Sequence, residues 1–232
     1  MDFINALVLL ANFLVVPAIS YGSQLALGAI GVTLIYGILR FANFAYGDLM
    51  AFGTMFAILF TWYFQSIGIS LGVFPTALIA IPFAIIITIL FSLLIDKFVF
   101  GYYRIKKSPP VTLAMVSIGV MFVINAVVRI IIGPFDRRFF DGERFILKAN
   151  EFKEMTGLNE GLSIKSTQVL TLFITIVVVS ILFWFLNKTK TGKSMRAYSD
   201  NEDLALLSGI SPDKVVMITW IIAAILATIA GT

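Results

Sequence analysis

The chain alternates between long apolar runs and short polar segments. A hydrocarbon core about 30 Å thick is crossed by roughly 20 mainly apolar helical residues. Runs of about that length, each with at most one charged residue, predict about six spanning helices. These runs cover residues 18–39, 44–64, 73–95, 111–132, 167–186 and 215–232. The pattern therefore predicts an all-α fold, a polytopic bundle of transmembrane helices.

The first apolar stretch, residues 3–39, carries no charge, but polar residues and Pro17 interrupt it. Proline inside a helix removes a hydrogen bond and clashes with the preceding turn. We therefore expect a short apolar segment at 3–16, which the pattern leaves open as a span, before the first full span. The segment lacks the basic start and cleavage site of a secretory signal, so we expect it to be retained. Pro75 and Pro82 are expected to perturb the helix at 73–95.

Composition agrees with a chain that is solvated by lipid. Hydrophobic residues make up 59% of the 232 positions and charged residues 13%, and the mean hydropathy is +0.99. The chain contains no cysteine and no histidine, which removes disulfides, the commonest general base and the usual zinc ligands. We therefore expect no metal site, no cofactor and no catalytic centre.

The basic residues predict the orientation of the helices. Segment 96–107 holds four bases against one acid, and segment 188–196 holds four bases and no acid. The positive-inside rule places both on the cytoplasmic side, together with Arg40. Two spans separate these segments, so residues 134–166 should form an extracytoplasmic loop. We attribute the net charge of +4 to membrane topology and expect no nucleic-acid partner.

The first cluster of informative residues is at 36–53, where Arg40, Asn43 and Asp48 lie within nine positions. A carboxylate at lipid depth is costly unless it faces protein or water. Asp48 therefore either lines a solute path or lies in the headgroup layer, where it caps the helix or pairs with Arg40. The small residues Gly47 and Ala51, like Gly53 and Ala57, are four apart and favour close helix packing. This packing is either static or a mobile interface beside a path.

The second cluster is the polar segment 188–214. Ser199 and Asp200 are expected to cap a short helix at 201–208, with Leu204, Ala205 and Leu207 on its apolar side. Gly209 should end that helix. Leucines facing water indicate a protein partner; the alternative is a helix packed on the bilayer or under its own bundle.

Both clusters resemble the permease subunits of branched-chain amino acid ABC importers. Residues 28–53, which contain GVTLIYG and NFAYGD, are similar to that family's LTLIYG and NFAHGD elements. Residues 191–231 are similar to its cytoplasmic loop and following helix. The sequence departs from the family at Tyr46, where histidine is usual. It also ends at Thr232, whereas the family usually continues through roughly two more spans, so the C-terminal part is expected to be missing.

The resemblance implies one permease domain, residues 1–232, in the bacterial cytoplasmic membrane. It implies a coupling helix that docks into an ATPase, and a translocation path. The implied coupling residues are Asp203, Leu204, Ala205, Leu207, Gly209 and Ile210. The implied path residues are Asn43, Tyr46, Gly47 and Asp48.

The implied partners are ABC ATPase subunits, a second permease subunit and an extracytoplasmic solute-binding protein. The chain has no phosphate-binding G-x-x-x-x-G-K-[ST] loop, so the energy must come from another polypeptide. The implied solutes are branched-chain amino acids, with urea or short amides as alternatives. A secondary transporter or channel would have Asp48 as its one candidate for ion coupling. An intramembrane enzyme would have little from which to build a site.

Overall fold

The computed structural model describes residues 2–69, 75–135, 137 and 145–232, and most of them are helical. Within those residues, six helical runs are long and apolar enough to cross a membrane. The predicted all-α transmembrane fold is therefore confirmed. The helices are α1 (Asp2–Leu10), α2 (Val16–Leu39), α3 (Tyr46–Ser66), α4 (Ala77–Ile95), α5 (Gly101–Ile105), α6 (Pro110–Ile132), α7 (Ala149–Thr156), α8 (Ser166–Lys188), α9 (Lys190–Asp200), α10 (Glu202–Leu207) and α11 (Pro212–Gly231).

The expected break before the first full span is absent. Residues Phe3–Leu39 form one continuous helical run, in which a π turn at Ala11–Val15 joins α1 to α2. In this turn the Val16 amide donates to the carbonyl of Ala11, five residues back. The wider turn ends two residues before Pro17, and it offers the proline ring room that a regular helix would lack. The prediction of two separate segments was therefore wrong.

The third apolar run, predicted at 73–95, is longer than expected. A second π turn, Asp96–Phe100, joins α4 to α5, so the helical run continues to Ile105. The expected cytoplasmic loop at 96–107 is thus mostly helical. The Asp96 carboxylate is buried and accepts two hydrogen bonds from Arg104, at 2.7 and 3.1 Å, which satisfies both charges within the helix. Pro82 lies inside α4 and Pro75 before it, while residues 73 and 74 lie outside the described residues.

Two compact units make up the chain. The first comprises Met1–Ala26 and Phe140–Ser180. Its described part includes a small antiparallel pair of strands, β1 (Phe145–Leu147) and β2 (Ile164–Lys165), with α7 between them. Asn12 Oδ1 accepts hydrogen bonds from the amide and hydroxyl of Ser163, each at 3.0 Å.

The second unit comprises Leu27–Phe139 and Ile181–Thr232. Its core is built mainly from α3, α4, α6 and α11. Phe52 of α3 stacks on Phe91 of α4 with ring centroids 4.0 Å apart. On the α11 side, Gly53 is so close to Thr228 that a Cβ built on the glycine would lie 3.0 Å from the Thr228 Cα. The predicted close packing at Gly53 and Ala57 is confirmed.

The other predicted pair of small residues lies on a different face of α3. Gly47 and Ala51 are both exposed in this chain, and a Cβ built on Gly47 would meet no atom within 4 Å. The predicted close approach at this pair is therefore absent. Glycine and alanine leave this stretch of the α3 surface shallow and open.

Candidate translocation path and coupling helix

The first candidate site is built on the break between α2 and α3. Arg40 ends α2 with a φ of +56°, a left-handed conformation that turns the chain. In the linker that follows, residues 41–45, the Asn43 side chain accepts a hydrogen bond from the Ala45 amide at 3.1 Å. The Phe44 amide donates to Ser117 Oγ of α6, also at 3.1 Å. The linker is therefore fixed both locally and by α6.

Tyr46 and Asn43 are buried, so neither presents a free side chain to an open surface. The Tyr46 hydroxyl donates to the Ala223 carbonyl of α11 at 3.2 Å. Its ring end lies where a Cβ on Gly31 of α2 would be, so the glycine makes room for the phenol. Tyr46 thus joins α2, α3 and α11, and its observed contacts are those of a packing residue.

Gly47 and Asp48 lie at the accessible edge of the same turn. Asp48 is half-buried, and its Oδ1 accepts a hydrogen bond from Asn125 Nδ2 of α6 at 2.9 Å. Asp48 also lies in the first turn of α3, where the helix dipole stabilises negative charge. The local pairing with Arg40 is not observed; the Arg40 guanidinium donates instead to the Ser199 carbonyl at 3.0 Å.

The sequence reasoning missed Asn125. It is the only carboxamide in the apolar run of α6, and polar side chains in such runs usually have a functional or packing partner. That signal could have identified the residue, although not its partner.

The second candidate site is α10. Asn201 caps this helix, because its Oδ1 accepts a hydrogen bond from the Leu204 amide at 3.0 Å. The predicted caps, Ser199 and Asp200, belong instead to the end of α9. Gly209 has a φ of +79° and stops the helix as predicted.

The end of α10 is a Schellman motif. The Gly209 amide donates to the Leu206 carbonyl and the Ile210 amide to the Ala205 carbonyl, both at 3.0 Å. Ile210 and Ala205 also pack in one apolar cluster, the contact that usually accompanies this motif.

The coupling residues implied by the resemblance divide into two groups. Ala205 is 3% exposed and packs with Ile210 into the cluster formed by Ile38, Met195, Tyr198 and Val215. Asp203, Leu204 and Leu207 face outward, and Leu207 is 85% exposed. Leu206, which the sequence reasoning missed, is also exposed. One side of the helix is therefore packed on its own chain, while the other presents leucines that the described residues leave exposed.

A polar contact also holds α10 to α9. The Tyr198 hydroxyl donates to Glu202 Oε1 at 2.7 Å. Burial and then this hydrogen bond raise the pKa of Tyr198, while the nearby guanidiniums of Arg104 and Arg40 act in the opposite direction. Arg40, Arg104 and α9 therefore lie at one end of the second unit, as expected if the two basic segments share one side of the membrane.

Comparison with known proteins places these features in a family. The profile described as "Branched-chain amino acid transport system / permease component" matches residues 14–232. No solved structure matches the chain.

Several curated proteins are similar over most of the chain. The high-affinity branched-chain amino acid transport system permease protein LivH of Escherichia coli (strain K12) is 26% identical over 218 residues, which are 92% of this chain and 67% of the relative. BraD of Pseudomonas aeruginosa, named as the same kind of permease protein, is 26% identical over 93% of this chain and 68% of its own length. A probable LivH of Methanocaldococcus jannaschii is 27% identical over 92% of this chain and 63% of its own length.

Proposed function

The chain belongs to the permease-component family of branched-chain amino acid transport systems, and on that premise we propose that it moves branched-chain amino acids across the cytoplasmic membrane as a subunit of an ATP-driven importer. Family membership makes it an integral membrane transport subunit and not an enzyme. The names of its relatives support the solute class. The observation that carries the ATP-driven mechanism is α10, a capped helix whose leucines are exposed although its other side is firmly packed.

The proposed docking partner of α10 is a cytoplasmic ATPase subunit. A partner cleft that accepts Leu204, Leu206 and Leu207 would bury apolar side chains that water now surrounds, which favours association. Glu202 and Asp203 in the first turn favour a basic rim on that cleft. Segment 188–214 would then be the cytoplasmic coupling loop and 134–166 the extracytoplasmic loop.

The proposed path runs along the open face of α3 at Gly47 and Asp48, with Asn125 beside it. Asn43 and Tyr46 support this face from within. A second permease subunit would complete the path, and an extracytoplasmic solute-binding protein would deliver the solute. ATP binding in the ATPase would supply the difference in free energy between outward-facing and inward-facing states.

Reconstitution tests this function. The chain, its second permease subunit and the co-purifying ATPase are placed in proteoliposomes, and uptake of radiolabelled leucine is measured with the solute-binding protein outside and ATP inside. We expect uptake to require ATP. We also expect excess isoleucine or valine to reduce it by competition. Uptake driven by an ion gradient without ATP would contradict the proposal, and competition by urea alone would contradict the solute class.

Replacing Asp48 by asparagine tests the proposed path. The amide can still accept the hydrogen bond from Asn125, so the fold should persist while the negative charge is lost. Charge-assisted hydrogen bonds are about twice as strong as neutral ones, and we expect leucine uptake to fall by roughly tenfold. Asp213→Asn is the matched control, because Asp213 is an exposed acid in the first turn of α11. Equal uptake by the two variants would assign Asp48 a structural role only.

A further inference from the structure

Two hydrogen bonds in opposite directions join the end of α2 to the end of α9. Ser199 Oγ donates to the Gly37 carbonyl at 2.8 Å. The Arg40 guanidinium donates to the Ser199 carbonyl at 3.0 Å. We call this pair of contacts the α2–α9 clamp. It fixes Ser199 of α9 against Gly37 of α2 and against Arg40, the residue that follows α2.

The clamp satisfies a backbone group that α2 leaves unpaired. The last four carbonyls of a helix lack a partner within the helix. Because α2 ends at Leu39 and Arg40 turns the chain, the Gly37 carbonyl is one of these groups. Ser199 replaces the missing amide donor, so its hydroxyl has a role that a surface serine does not have.

On one side, the clamp is connected to α10. Tyr198, next to Ser199, bonds to Glu202, and Ala205 of α10 packs in the same cluster as Ile38 and Met195. These contacts attach α10 to α9, so a displacement of α10 by a partner would also move α9.

On the other side, the clamp is connected to the proposed path. Residues 41–45 run directly from Arg40 into the first turn of α3, which carries Asp48. The linker is short, and Ser117 of α6 holds its far half through the Phe44 amide. A shift of Arg40 would therefore reach the start of α3 without passing through a long flexible loop.

Packing around the clamp leaves room for such a shift. An open pocket of about 240 Å³ lies between α2, α8 and α9, and Gly37, Met195 and Ser199 are among the residues that line it. The interior of a protein is close-packed, so movement there would require many contacts to break. Beside this pocket, the two hydrogen bonds supply a specific link between α9 and the end of α2.

We propose that Ser199 and Arg40 are positioning residues that transmit movement of α10 to the α2–α3 linker and so to Asp48. This inference rests on the proposed function, because it requires an ATPase that acts on α10. Neither residue touches the solute or the ATPase in this role. Their removal should therefore reduce the amount of solute moved per ATP hydrolysed, rather than ATP hydrolysis itself.

Ser199→Ala and Arg40→Met, each in the complete reconstituted transporter, test the clamp. ATP hydrolysis and leucine uptake are measured on the same proteoliposomes. Allosteric coupling commonly changes affinities by about 5-fold to 150-fold, so we expect the uptake-to-hydrolysis ratio to fall by about fivefold or more in each variant. Ser199→Thr keeps the hydroxyl and should restore the ratio. Ser194→Ala is the matched control, since its hydroxyl bonds only within α9.

The outcomes separate the clamp from simpler explanations. A wild-type ratio in both Ser199→Ala and Arg40→Met would overturn the clamp while leaving ATP-driven uptake intact. A proportional loss of uptake and hydrolysis in both variants would also overturn it, because that result indicates a structural role. Absence of ATP-driven uptake in the wild type would instead contradict the proposed function itself.

Discussion

Leu207→Glu is expected to abolish most ATP-driven uptake while leaving the chain folded in the membrane. Leu207 is 85% exposed, so a glutamate there costs the isolated chain little. In the docked complex the same side chain would place a charge in an apolar cleft, which is strongly unfavourable. An unpaired charge buried in this way costs several kcal/mol, so we expect uptake to fall by roughly tenfold or more.

The measurement combines ATPase co-purification with leucine uptake. Ile105→Glu is the matched control, because Ile105 is also 85% exposed but lies at the end of α5. Gly209→Pro should give the same loss as Leu207→Glu by a different route, since proline cannot adopt the positive φ that ends α10. If Leu207→Glu retained wild-type uptake and bound ATPase, α10 would not be the docking helix.

Gly53→Leu is expected to destabilise the second unit. A Cβ at this position would lie 3.0 Å from the Thr228 Cα, and because this is backbone, α3 and α11 must separate. Overpacking of this kind costs about 1–3 kcal/mol, and we expect the melting temperature in detergent to fall by about 5 °C or more. Tryptophan fluorescence would report the transition, since Trp220 lies in the same core.

Gly119→Leu provides the comparison for that variant. Gly119 lies within α6 and is exposed, and a Cβ added to it would meet no atom within 4 Å. Leucine favours helix more than glycine does, so this control should melt at or above the wild-type temperature. Equal melting temperatures for Gly53→Leu and the wild type would mean that α3 and α11 do not pack this closely.

The spans could be predicted from the sequence because lipid imposes their length and composition. What could not be predicted was how the helices continue past a proline and past charged residues. Pro17 was expected to break a helix, but a π turn accommodates it. Asp96 and Arg104 looked like loop residues because they are charged, yet they pair across two helical turns.

The candidate sites show the same limit. The stop at Gly209 was predictable because a positive φ is a local property of glycine. The partner of Asp48 was not, because Asn125 is 77 residues away in the chain. Ser199 has the right chemistry for a helix cap, but its hydroxyl bonds to Gly37, 162 residues away, a contact that only the fold creates.

Cross-linking from single cysteines tests the central claim most directly. The chain has no cysteine, so Leu207→Cys and Met155→Cys each introduce one thiol, on α10 and on exposed α7 respectively. In the assembled transporter, we predict that a short thiol-reactive cross-linker joins position 207 to the ATPase subunit and leaves position 155 unlinked to it. An ATPase cross-link at position 155, or none at position 207, would contradict the account.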